Sequence, residues 1–109
     1  MKANELRIGN WVTLDGKEIQ IVFINSTNFH QLFQPIPLTK EWLLMFGLKK
    51  EFGEYTLTDS YWRIGVDRDF NVSVMGEYHL CKCEYVHQLQ NLYFALTGEE
   101  LEIKKPSQH

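Results

Sequence analysis

Apolar and polar residues alternate along this chain in three rhythms, and each rhythm predicts a different element. Near the start, the dipeptide Asp15-Gly16 separates residues 6–14 from residues 17–24. Asp-Gly supplies the two left-handed positions of a type I′ turn, so the pattern predicts a β-hairpin. With a two-residue loop, Leu14 faces Lys17, Val12 faces Ile19, Asn10 faces Ile21 and Ile8 faces Phe23. One face is then mostly apolar. The other carries Arg7, Gly9, Trp11 and Thr13 against Ile24, Val22, Gln20 and Glu18, and Trp11 and Val22 need cover there. Gly9 within the strand predicts a bulge or bend, the device that curls a small sheet toward an SH3-like barrel.

A turn at residues 25–28 leads to Phe33-Gln34-Pro35-Ile36-Pro37-Leu38, where two prolines impose an extended path. Thr39 then caps a helix over residues 40–46, with Trp42 and Phe46 four apart on one side and Gly47 as its stop. The rhythm next shifts to period two. Tyr55 and Leu57, then Trp62, Ile64 and Val66, then Phe70, Val72 and Val74, then residues 80–83 predict a meander of three or four strands. Asp67-Arg68-Asp69 and Gly76 are its turns. Residues 85–97 return to a helical period closed by Gly98. Their apolar stripe gathers Tyr85, Val86, Leu92, Tyr93 and Leu96 around Leu89, and Phe94 falls with His87, Gln90 and Asn91 on the side expected to be wet. Residues 101–103 are expected to return to the sheet.

The reading is therefore an α+β fold: an N-terminal hairpin curling toward a small SH3-like barrel, a short linking helix, an antiparallel meander, and a C-terminal helix packed on the sheet. Residues 1–104 are expected to form a single domain, with residues 105–109 a frayed tail. At 109 residues, 44% hydrophobic and 23% charged, the chain can bury a core without metals or disulfides. A net charge of -3 and the absence of any basic run argue against nonspecific nucleic-acid binding. The chain opens Met1-Lys2-Ala3-Asn4-Glu5 instead of on an apolar signal core, and no stretch approaches the roughly 20 apolar residues of a membrane span, so the expected location is the cytoplasm. There the sequons at Asn25 and Asn71 carry no glycan.

Candidate chemistry changes this picture little. His79, Cys81 and Cys83, followed by His87, are zinc-ligand types within a short span. Same-face neighbours on a strand stand about 6.6–7 Å apart, however, whereas tetrahedral zinc holds its sulfurs within about 4 Å. The expectation is no metal, no cofactor and two small buried thiols. A cysteine nucleophile with His79 or His87 as base lacks a surrounding motif, and the carboxylates Asp67, Asp69, Glu99 and Glu100 sit in a turn and at a helix end. No phosphate-binding glycine loop, nucleophile elbow or metalloprotease motif is present, so no enzyme is expected. The candidates for ligand or partner binding are Trp11, Arg7, Arg63, Arg68 and Phe94. An aromatic opposite a helix stripe suggests a second contact surface, and in so small a chain that points first to a homo-oligomer.

Three stretches also resemble segments of a known family. They are Lys2-Ala3-Asn4-Glu5-Leu6-Arg7-Ile8-Gly9-Asn10-Trp11-Val12, Pro35-Ile36-Pro37-Leu38-Thr39-Lys40-Glu41-Trp42-Leu43-Leu44-Met45-Phe46-Gly47-Leu48, and Tyr85-Val86-His87-Gln88-Leu89-Gln90-Asn91-Leu92-Tyr93-Phe94-Ala95-Leu96-Thr97-Gly98-Glu99-Glu100-Leu101. The family comprises short uncharacterised proteins from gut bacteria, their prophages and mobile elements. The resemblance implies a bacterial cytoplasm and a phage or mobile-element gene whose product works by binding. Its partner would be itself or a host protein. An alternative is that it sequesters a signalling nucleotide of host defence, and a zinc-binding or cysteine-dependent enzyme is the remaining reading.

Overall fold

Asp15 and Gly16 adopt φ values of 54° and 80°, the paired left-handed conformations that a type I′ turn requires. In the computed structural model, which describes residues 6–21, 33–57, 63–75 and 78–104, this turn joins β1 (Trp11–Leu14) to β2 (Lys17–Gln20). The register is the expected one, with Val12 opposite Ile19 and Leu14 opposite Lys17. The fold is mixed α+β, and the chain divides into two compact units, residues 1–37 with 85–100 and residues 38–84 with 101–109.

In the first unit, β3 (Phe33–Gln34) adds to the other side of β1, giving the order β2-β1-β3. Leu6, Val12, Ile21 and Phe33 form its apolar core, with Leu14 and Ile19 packed against them. The sheet is not closed, so no barrel forms among the described residues. Gly9 lies before β1 instead of inside it. The Asn10 N–H donates to the Arg7 carbonyl at 3.0 Å, and Gly9 takes a φ of 100°, so residues 7–10 turn rather than extend. Ile8 is left exposed, and its predicted partner Phe23 lies outside the described residues, as do Val22, Ile24 and the turn at 25–28.

The helix of this unit, α2 (Val86–Thr97), has Tyr85 as its N-cap and Gly98, at φ 76°, as its left-handed stop. The Gln88 side chain accepts from the Tyr85 N–H at 3.1 Å, which occupies one of the free donors at the helix start. Its inward face differs from the expected one. Val86 and Leu89 are buried as predicted, but so are His87 and Gln90, while Leu92, Tyr93 and Leu96 are only half-buried. Hydrophobic periodicity cannot anticipate this, because Gln90 is drawn inward by backbone groups at the start of β1. Its Nε2 donates to the Gly9 carbonyl and its Oε1 accepts from the Trp11 N–H, both at 2.8 Å.

In the second unit Thr39 caps α1 (Lys40–Met45), its Oγ1 accepting from the Trp42 N–H at 3.4 Å. Five antiparallel strands follow in chain order: β4 (Lys49–Glu51), β5 (Glu54–Leu57), β6 (Ile64–Val66), β7 (Asn71–Val74) and β8 (Tyr78–Lys82). This is the predicted meander with one more strand, since β4 reads Lys-Lys-Glu and has no apolar alternation to announce it. Leu57, Ile64, Val66, Val72 and Val74 share a buried face, and Trp42, Leu43 and Phe46 supply the buried side of α1. Residues 101–104 do not rejoin the sheet. The Lys104 N–H donates instead to the Met45 carbonyl at 2.7 Å, so this stretch closes over the end of α1. Trp62 and Gly76 lie outside the described residues.

Candidate functional site

A meander places alternate turns at opposite ends of its sheet, so the β4–β5 turn and the β6–β7 turn come to the same end. The first is Phe52-Gly53, with φ values of 51° and 83°, a second type I′ turn. Gly53 suits its position because a glycine tolerates positive φ without cost. Phe52 does not, since a side chain in the left-handed region crowds its own carbonyl. The phenyl gains nothing in return from packing, as it is wholly exposed at 104%.

The second turn is built around Asp67. Its carboxylate accepts from the Asp69 and Asn71 backbone N–H groups at 2.8 and 3.0 Å and from the Asn71 side chain at 3.3 Å. These bonds, that from the Asn71 backbone first, hold the Asp67 pKa below its ordinary value. Phe70 ends the turn at φ 64°, where Gly or Asn is usual, rather than lying in a strand as predicted. Its N–H donates back to the Asp67 carbonyl at 3.0 Å, and its ring is half-buried.

Hollows open around these turns. A cavity of about 660 Å³ opens beside the beginning of α1 and is lined by Lys40, Lys50, Tyr55, Arg68 and Phe70, with Gly53 at its edge. Between the two turns lies a second, of about 430 Å³, bordered by Phe52, Glu54, Arg68 and Asp69. The third, of about 340 Å³, runs over the open sheet face from Phe52 to Met75, past Thr56, Arg63 and Gly65. Phe52 thus borders two hollows while filling neither.

Arg68 and Arg63 are therefore exposed and line hollows of this unit. Arg7, Trp11 and Phe94 meet in the first unit, in a constellation that ties the hairpin to α2. The Arg7 guanidinium donates to Glu100 at 2.6 Å, to Asn91 at 2.8 Å and to the Gln90 carbonyl at 3.2 Å. Its carbon also stands 4.4 Å from the centroid of the Phe94 ring. Phe94 remains 39% exposed, but one of its faces is occupied by this cation. Trp11 is half-buried with its N–H held by Gln90.

The four metal-ligand types do not assemble. His79 and Cys81 are exposed on β8, Cys83 is buried just beyond it, and His87 is buried in the other unit against Tyr85, ring centroids 6.0 Å apart. Burial first, and then the charge and hydrogen bond of Cys81, push the Cys83 thiol up to about 12, so it stays protonated at neutral pH. Among the described residues no three His, Cys, Asp or Glu side chains converge to hold a metal ion. No helix among them is long and apolar enough to cross a membrane.

The residues that sequence reasoning missed are Phe52, Tyr55 and Phe70 as surface groups, together with Lys40 and Lys50. One signal for Phe52 was present. Phe52-Gly53 places a residue before Gly between two short runs, 49–51 and 54–57, as Asp15-Gly16 does between its own strands, but phenylalanine is not a turn residue. No protein-family model matches the chain, and neither a curated protein nor a solved structure matches it.

Proposed function

We propose that the protein is a non-enzymatic interaction protein that grips a protein partner through the turn-bearing end of its five-stranded sheet, with Phe52 as the anchor. One observation carries this reading: a wholly exposed phenyl ring on a left-handed turn residue. Such a position costs about 1 kcal/mol of backbone strain relative to glycine. Burying the ring in a partner's apolar pocket would return about 1.5–3 kcal/mol, while leaving it in water returns nothing. Met75 continues the apolar surface along the adjoining groove, and Glu51, Glu54 and Arg63 give that groove a charged rim. An apolar anchor inside a charged rim is the composition of a contact surface. A buried, protonated Cys83 and a hydrogen-bonded Asp67 favour binding over catalysis. In the bacterial cytoplasm that the family resemblance implies, the partner is a second copy of the chain or a host protein.

The test is photocrosslinking in a bacterial host, with a benzophenone amino acid at position 52 and, as control, at position 18 on the exposed β2 strand. The reading expects one discrete adduct from position 52 and none from position 18. An adduct of twice the chain mass identifies self-association, and any other discrete mass a foreign protein. Equal, diffuse labelling from the two positions contradicts the proposal.

A further inference from the structure

We infer that the 660 Å³ cavity beside α1 is a binding site for a mononucleotide, with the phosphate on its cations and the base against its aromatic rings. This goes beyond the proposed partner contact, which it neither requires nor replaces. The volume falls within the range of small-ligand sites, about 300–1,000 Å³. Three cations line it: Lys40, Lys50 and Arg68, all exposed and none in an ion pair or side-chain hydrogen bond among the described residues. Two carboxylates also border it, Glu41 and Asp67. The Asp67 oxygens accept from Asp69 and Asn71 within its own turn, which keeps the carboxylate anionic. The three cations outnumber the two carboxylates, so the wall carries a net positive charge that an anionic phosphate would meet.

The rings supply the other half of the recognition. Tyr55 and Phe70 both line the cavity and are half-buried, so each keeps part of its surface exposed. Stacking a base on an aromatic ring is worth about 1–3 kcal/mol and asks little of base identity. Phe70 is held there by a backbone conformation that disfavours a bulky side chain, whereas glycine at that turn would be free of strain and would leave the wall without a ring. Arg68 lies in the same turn, so one short loop delivers a guanidinium and a phenyl to one cavity. Cations without a ring would suit free phosphate; rings without cations would suit a neutral heterocycle. Both together select a molecule that carries both groups.

The experiment is titration of the ¹⁵N-labelled full chain at low salt with AMP, GMP, CMP and UMP, followed by adenosine alone and inorganic phosphate alone. At least one monophosphate is expected to shift the amides of Lys50, Tyr55, Arg68 and Phe70, with an affinity at least about tenfold above that of adenosine or phosphate. Arg68→Gln, an exposed turn substitution, is expected to weaken binding by about tenfold or more. Phe52→Asn is expected to leave it unchanged, which separates this site from the partner contact. If no monophosphate shifts those amides by about 5 mM, or if Arg68→Gln binds as tightly as the wild type, the inference is overturned.

Discussion

The two units solve opposite problems. In the first, polar groups lie inside: Asn10 and Gln90 are fully buried, and both are hydrogen-bonded to the turn or helix they join. In the second, an apolar group lies outside: Phe52 has no packing role and occupies a conformation that suits glycine or asparagine. A buried amide that replaces missing backbone partners is explained by folding alone. An exposed phenyl on a strained residue is not, and only an event after folding gives it a use. The contrast moves attention from the Arg7–Phe94 pair, whose charge and ring are already engaged with one another, to the end of the meander.

The largest effect expected from breaking this contrast is at Gln90. Gln90→Leu removes both side-chain bonds to residues 9–11 and leaves the Gly9 carbonyl with only its bond from the Gln20 side chain, so equilibrium unfolding should show a loss of about 1–3 kcal/mol. A smaller effect is expected at Asp67. Its lowered pKa means that the carboxylate is favoured in the folded state, so its contribution is complete above the ordinary value of 3.8 and is lost as pH falls through the folded value. Wild type and Asp67→Asn should therefore differ most in stability above pH 3.8 and draw together as the pH is lowered below it, as thermal melts across an acid series would show.

Much of the fold was written in short-range chemistry. Asp15-Gly16, Thr39, Gly47 and Gly98 each act on their neighbours, so their turns and caps stand where the residues predict them. The inward face of α2 was not legible, because what draws Gln90 inside is a carbonyl 81 residues away in sequence. The strand β4 was missed for a related reason, its Lys-Lys-Glu pattern being that of an edge that stays in water. Of the predicted binding residues, Arg68 and Arg63 fall at the candidate surface, while Arg7, Trp11 and Phe94 form a hydrogen-bonded and cation–π tie. Phe52 and Phe70 stayed hidden because propensity assigns phenylalanine to strands and cores, and their turn positions follow from strand register.

The smallest expected change is also the most telling. Phe52→Asn substitutes a residue suited to the first position of a type I′ turn for a ring that touches no core. Urea unfolding should show a midpoint equal to the wild-type value or raised by up to about 1 kcal/mol of stability. A loss of more than about 1 kcal/mol would mean that the phenyl supports the folded chain, and Phe52 would then have no claim to a role in binding.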